Sequence, residues 1–171
     1  LSSFITPLTN KREDQYGGTL VGRSRFLLET VDAVRGAWPS EKPVLVRISC
    51  TDWRPDGWTI EDSVWLAREL KGHGVDLLDC SSGGNHPSPP TASPGFQTPF
   101  AERIRRETGL ATAAVGLITG FEQAETIIRT GQADMVLLGR ELLRNPYWPI
   151  HAAVRLSAQL PVPNQYKSAF R

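Results

Sequence analysis

Short apolar runs alternate with helical periods along residues 44–138, and that alternation constrains the fold more than any other feature of the chain. Val44-Leu45-Val46-Arg47-Ile48-Ser49 carries several β-branched residues behind Pro43, which predicts a buried parallel strand. Ile60, Val64, Ala67 and Leu70 then repeat at the spacing of one helix face, opened by Thr59 with Asp62 and stopped by Gly72 and Gly74. Further strands are predicted over Asp76 to Ser81, Ala111 to Val115 and Met135 to Leu138, with helices over 100–107 and 121–129 between them. Two helix-to-strand junctions, Gly74-Val75-Asp76 and Gly131-Gln132-Ala133-Asp134, resemble each other, a weak repeat at the scale of a βα unit. Strands that alternate with helices imply a parallel sheet with right-handed crossovers, either doubly wound or closed into a TIM barrel. Period alone does not choose between them.

The count narrows the choice. A closed barrel uses eight strands in about 250 residues, whereas the pattern here gives four strands and about five helices in 171 residues. The first residue is Leu1 and the only methionine is Met135. The expected architecture is therefore α/β, a TIM (β/α)8 barrel of which residues 1–171 supply the carboxyl-terminal half: the last four strands, their helices and the helix before them.

Composition sets further bounds. With net charge +1 and 22% charged residues the chain offers no basic field for nucleic acid or an acidic membrane. No apolar stretch approaches the roughly 20 residues needed to cross a bilayer, so a cytoplasmic protein is expected. Cys50 and Cys80 follow no metal-ligand spacing and are expected to be reduced, buried thiols. His73, His86 and His151 share no such spacing either and are read as solvent-facing or core-satisfied, with no metal site.

In parallel α/β folds the loops after the strand carboxyl ends build the site. Arg47, inside an apolar strand, needs either a carboxylate such as Asp79 or an anionic or carbonyl-rich ligand. In Ala114-Val115-Gly116-Leu117-Ile118-Thr119-Gly120-Phe121-Glu122, Thr119 and Glu122 fit a capping box, while Gly116 either turns the chain or lets a ligand approach the backbone. Leu138-Gly139-Arg140 ends the next strand in a glycine and an arginine, and such adjacent late loops are where barrels commonly hold phosphate. Arg144 is read as a surface or capping charge. The loop from Ser81 to Gly95, rich in Ser, Pro and Gly, either borders a substrate pocket or is mobile.

The opening segment, Phe4-Ile5-Thr6-Pro7-Leu8-Thr9-Asn10-Lys11-Arg12-Glu13-Asp14-Gln15-Tyr16-Gly17-Gly18, reads as a long structured loop running to Arg23 and the helical Arg25-Phe26-Leu27-Leu28-Glu29. Its spacing of Pro7, Asn10, Arg12, Asp14, Tyr16, Gly17, Gly18 and Arg23 resembles the signature of the Old Yellow Enzyme family, flavin-dependent ene-reductases on a TIM barrel, and most of all its smaller bacterial members. Gly22 departs from it, since the family usually has Asn before the Arg, and a local hydrogen bond is expected to be missing.

The resemblance implies non-covalent FMN, reduced by NADPH or NADH, passing hydride to the activated alkene of an enone-type substrate. It implies that Arg47, in its Val-Arg-Ile-Ser setting, faces the pyrimidine edge of the flavin and that Gly139 and Arg140 bind the FMN phosphate; Gly116 is added to the expected cofactor contacts from its place at a strand end. The family's substrate-binding His pair or His-Asn pair and its proton-donating Tyr lie upstream of the opening loop, so no catalytic residue is assigned. Relatives often place an Arg shortly after the equivalent of Tyr166 to reach a neighbouring subunit, where this chain has Lys167 and Ser168. Expected partners are a homo-oligomer or the missing amino-terminal half. Two alternatives stand beside this reading: a half-barrel without catalysis that serves as a fragment or assembly module, and another phosphate-binding TIM barrel, dihydroorotate-dehydrogenase-like or aldolase-type. The spacing of the opening loop argues against the latter.

Overall fold

The computed structural model describes residues 1–85 and 91–170, so His86 and its neighbours to residue 90 lie outside the described residues. In chain order the elements are helix α1 (Ser2–Ile5), α2 (Leu20–Ala37), strand β1 (Leu45–Ser49), α3 (Ile60–Gly72), β2 (Leu77–Ser81), α4 (Thr98–Thr108), β3 (Ala111–Val115), α5 (Phe121–Arg129), β4 (Met135–Leu137), α6 (Arg140–Arg144) and α7 (Trp148–Arg155), then a 3-10 turn (Asn164–Phe170). The strands form one four-stranded sheet in the order β1-β2-β3-β4, every pair parallel.

The expected strands and the helices between them are present, with α5 spanning the residues expected of it. Thr59 caps α3 by accepting from the Asp62 amide, and the Asp62 carboxylate in turn accepts from the Thr59 amide. The capping box expected at Thr119 and Glu122 is absent: Gly120 is the N-cap and no side chain caps α5. Glu122 pairs with Arg155 at 2.8 Å, and the Thr119 carbonyl accepts the indole N–H of Trp148 at 2.8 Å. The helix begins one residue too late for Thr119 to cap it.

The opening loop is also shorter than its sequence suggests. Thr19 caps α2 through the Gly22 amide, so Gly22 and Arg23 are helical. A Cβ at Gly22 would lie 2.2 Å from the Gly17 carbonyl oxygen, so in this packing the position has no room for a side chain. The signature residues hold one another. Asn10 donates to the carbonyls of Phe4 and Tyr16 at 2.6 and 2.7 Å and accepts from the Arg12 amide at 3.0 Å. Arg23 donates to the carbonyls of Ile5 and Gly18, and Arg12 pairs with Asp14.

Alternation along each strand divides the sheet into two faces. Ile48, Leu78, Cys80 and Ala114 point outward into a core shared with Leu66, Leu70, Ala101 and Ile104 of the helices. The other face carries Leu45 and, in register with one another, Arg47, Asp79, Ala113 and Met135. Leu45 is 52% and Met135 42% exposed, so β1 is not the doubly buried strand expected, because no second wall faces it among the described residues. Cys50 and Cys80 are free and fully buried, and burial raises the Cys50 thiol well above its ordinary range. His73 ends α3 and pairs with Asp32 of α2, and His151 is exposed.

The repeated junction has a physical basis at the opposite end of the sheet. Asp76 accepts from the Val44 amide and from Arg35, and Asp134 accepts from the Thr112 amide and from Arg105.

Candidate functional site

At the carboxyl ends of the strands lies a cavity of about 400 Å³. Arg47, Gly116, Gly139 and Arg140, the four residues expected from sequence, all line it, joined by Phe96 and Gln97 from the segment entering α4. Arg47 projects from the middle of β1, Gly116 follows β3 directly, and Gly139 with Arg140 follows β4 across the single residue Leu138. With the strands in the order β1 to β4, the two arginines stand three strand spacings apart, roughly 14 Å. A ligand that meets both must be extended.

Gly116 has φ +119°, and a Cβ there would lie 2.7 Å from Nε2 of Gln97 and 3.1 Å from the Phe96 ring. Gln97 is itself fixed, donating to the Val115 carbonyl at 3.0 Å and accepting from the Ser82 hydroxyl at 2.6 Å. The turn and this packing account for glycine at position 116 without a ligand. Gly139 differs. A Cβ there would meet nothing within 4 Å, so no neighbouring atom demands the smallest residue.

The Arg140 guanidinium makes no hydrogen bond or ion pair among the described residues, whereas that of Arg144 in the same cavity is held by Glu141 at 2.6 Å. An unengaged guanidinium beside an open glycine offers charge-assisted donors to an incoming anion.

Arg47 is less buried than its apolar neighbours suggest, its side chain being 59% exposed. It donates to Asp79 Oδ2 at 3.1 Å and to the Ser81 hydroxyl at 3.1 Å, so the carboxylate expected as one of two alternatives is present while the guanidinium still borders the cavity. Asp79 is the sunken partner, with 12% of its side chain exposed. Burial raises its carboxyl above the ordinary aspartate range, against the opposing pull of Arg47.

Sequence reasoning missed Gln97 and Asp52. Gln97 stands just after the Ser-, Pro- and Gly-rich loop, where no period marks it. Asp52, 2% exposed, accepts from the Thr6 hydroxyl, from the Trp58 amide at 2.8 Å and from the Asn85 amide group at 3.1 Å, tying the opening loop to the loops after β1 and β2. A lone polar residue between a strand and a turn was its only signal. No group of metal-ligating side chains is present among the described residues. No helix among them is long and apolar enough to cross a membrane.

Fold and site together define a parallel α/β segment with a cavity at its strand ends suited to an extended, anionic ligand. Residues 1–159 match the NADH:flavin oxidoreductase / NADH oxidase family, and the chain belongs to that family. It is 50% identical over 171 residues to an NADPH dehydrogenase of Geobacillus thermodenitrificans, covering all of this chain and 50% of that protein. It is 45% identical over 170 residues to an NADPH dehydrogenase of Halalkalibacterium halodurans, covering 99% of this chain and again 50% of the relative. The chain thus spans about half the length of the curated relatives it matches. Morphinone reductase in complex with tetrahydroNAD superposes with a TM-score of 0.67 at 28% identity, over 95% of this chain and 42% of that one. A 2-naphthoyl-CoA reductase complex, at 23% identity and TM-score 0.81, shares the fold over 91% of this chain and 24% of its own. The sheet and its helices are part of a (β/α)8 barrel, as expected from the strand count, and the Old Yellow Enzyme resemblance is borne out.

Proposed function

We propose that residues 1–171 form the carboxyl-terminal half of a single FMN-binding barrel domain in an NAD(P)H-dependent flavin oxidoreductase, and that they supply its cofactor contacts. The observation that supports this most is Arg140, without a protein partner among the described residues, in the same cavity as Arg47. Gly139 and Arg140 would hold the phosphate, Gly116 would border the path between, and Arg47 would meet the pyrimidine edge. FMN bound there would accept a hydride from NADPH or NADH and pass it to an activated alkene of the enone type. The protein's part is to orient the ring and to set a fixed positive charge against it.

The exposed inner face, with Leu45 and Met135 uncovered, favours a remaining barrel wall or a second copy of the chain as its cover. Residues 1–171 alone are therefore expected to show no turnover. A cytoplasmic location accords with the free cysteines.

Quenching of flavin fluorescence tests the reading, with riboflavin as the phosphate-free comparison. The ligands are titrated into residues 1–171, alone and in place of the matching half of the Geobacillus thermodenitrificans enzyme. Arg140→Ala should weaken FMN about 10-fold or more and leave riboflavin nearly unchanged. Equal losses for both ligands would remove Arg140 from the phosphate. No FMN binding in either setting would remove the flavin reading.

A further inference from the structure

The four cavity residues expected from sequence do not include the one that governs how Arg47 presents itself to a ligand. Arg47 and Asp79 are direct register partners on adjacent parallel strands, both on the inner face. The guanidinium is held at two points, Asp79 Oδ2 and the Ser81 hydroxyl, each at 3.1 Å. The exposures are unequal: the side chain of Asp79 is 12% accessible and that of Arg47 59%. A sunken carboxylate thus anchors an arm that reaches open space. Asp79 is not among the residues that line the cavity, so it meets a ligand there only through Arg47.

A second observation comes from the other carboxylate oxygen. Asp79 Oδ1 is buried and has no hydrogen-bond partner among the described residues. A carboxylate with full compensation for burial uses both oxygens. Asp79 has one oxygen engaged, and its charged partner there is the exposed guanidinium of Arg47. Its one-sided arrangement commits the carboxylate to Arg47.

We propose that Asp79 is a positioning residue for the flavin site, aiming Arg47 at the cavity and offsetting part of the positive charge that a bound ring would feel. The proposal rests on the reading that Arg47 faces the flavin, and it adds the group that tunes this contact. An ionised Asp79 leaves the cavity facing a partly compensated cation. Substitution by Asn keeps an oxygen to accept from Arg47 and removes the compensation.

The test has two readouts, one of them without flavin. First, the Asp79 carboxyl is titrated by carbon-13 NMR in residues 1–171 and in Arg47→Met, with Asp79→Asn identifying the resonance and circular dichroism verifying the fold. The carboxyl should titrate above the ordinary aspartate range and move further up when Arg47 is lost. The Arg47 Nε–H resonance should hold its position in Asp79→Asn and shift in Asp79→Ala. An Asp79 titration indifferent to Arg47 would overturn the proposal whatever the cofactor. Second, the midpoint potential of bound FMN is measured in the hybrid with the Geobacillus thermodenitrificans half. Asp79→Asn should raise it and Arg47→Met should lower it. A potential that responds to Arg47→Met and not to Asp79→Asn would overturn the offsetting role. Failure of the hybrid to bind FMN would count against the flavin reading, and the carboxyl titration would still decide whether Asp79 governs Arg47.

Discussion

Asp134 receives the Nε–H of Arg105 on both carboxylate oxygens, at 2.9 and 3.0 Å, while its Oδ2 also accepts the Thr112 amide at 2.9 Å. The arrangement ties the end of α4, the start of β3 and the residue before β4 into one joint. Asp76 builds the equivalent joint with Arg35 and the Val44 amide, at 3.3 and 2.7 Å. Replacing Asp134 by Ala leaves the Thr112 amide without its acceptor, and the expected cost is about 1–3 kcal/mol. Urea unfolding measures it, and an unchanged midpoint would show that the joint adds nothing to stability.

Asp52→Ala should be more damaging. The carboxylate is buried and serves Thr6, Trp58 and Asn85 together, so its loss strands several donors at once. A cost on the order of 3 kcal/mol is expected, with faster hydrogen exchange at the Trp58 amide. Asp52→Asn should recover part of it by keeping one acceptor oxygen. Equal exchange at Trp58 in wild type and Asp52→Ala would contradict this role.

Gly116→Ala tests the turn that follows β3. An added Cβ meets Gln97 Nε2 at 2.7 Å in a backbone conformation with φ +119°. The substitution should cost about 1–3 kcal/mol and break the bond from Gln97 to the Val115 carbonyl. Thermal unfolding reads the cost, and the side-chain amide resonances of Gln97 read the displacement.

The strands were legible in sequence because short apolar runs alternate with helical periods at the βα spacing, and their parallel direction followed from that alternation. The repeat at Asp76 and Asp134 was visible as wording, while its cause required the positions of Arg35 and Arg105, which lie 41 and 29 residues away. The start of α2 was obscured by Gly17, Gly18 and Gly22, which read as a turn although Gly22 lies inside the helix beneath the Gly17 carbonyl. Arg47, Gly116, Gly139 and Arg140 could be chosen because strand ends are legible, and their union in one cavity follows from the parallel order. The exposure of Arg47 could not be read, since it depends on what lies opposite the sheet. The opening loop carries the family signature most densely, yet its residues mainly bind one another and none of them lines the cavity.

Stability should depend on pH through Asp79. Burial raises its carboxyl in the folded state, so the folded protein holds that proton more tightly than the unfolded chain. Its contribution is complete below the unfolded value near 3.8 and is lost as pH rises through the raised folded value. Glu61 and Glu107 act oppositely: hydrogen bonds from Arg103 lower both, and their contribution is lost as pH falls. Subtracting the unfolding curve of Asp79→Asn from that of wild type isolates the first effect. The difference should decline as pH rises through that window, and a difference that grew would reverse the sign assigned to Asp79.

The decisive measurement is a crystal structure of residues 1–171 joined to the matching half of the Geobacillus thermodenitrificans enzyme and saturated with FMN. The phosphate should lie within hydrogen-bonding distance of Arg140 beside Gly139, with the pyrimidine edge of the ring at Arg47. A phosphate bound outside this cavity, or a ring turned with its pyrimidine edge away from Arg47, would contradict the proposed site.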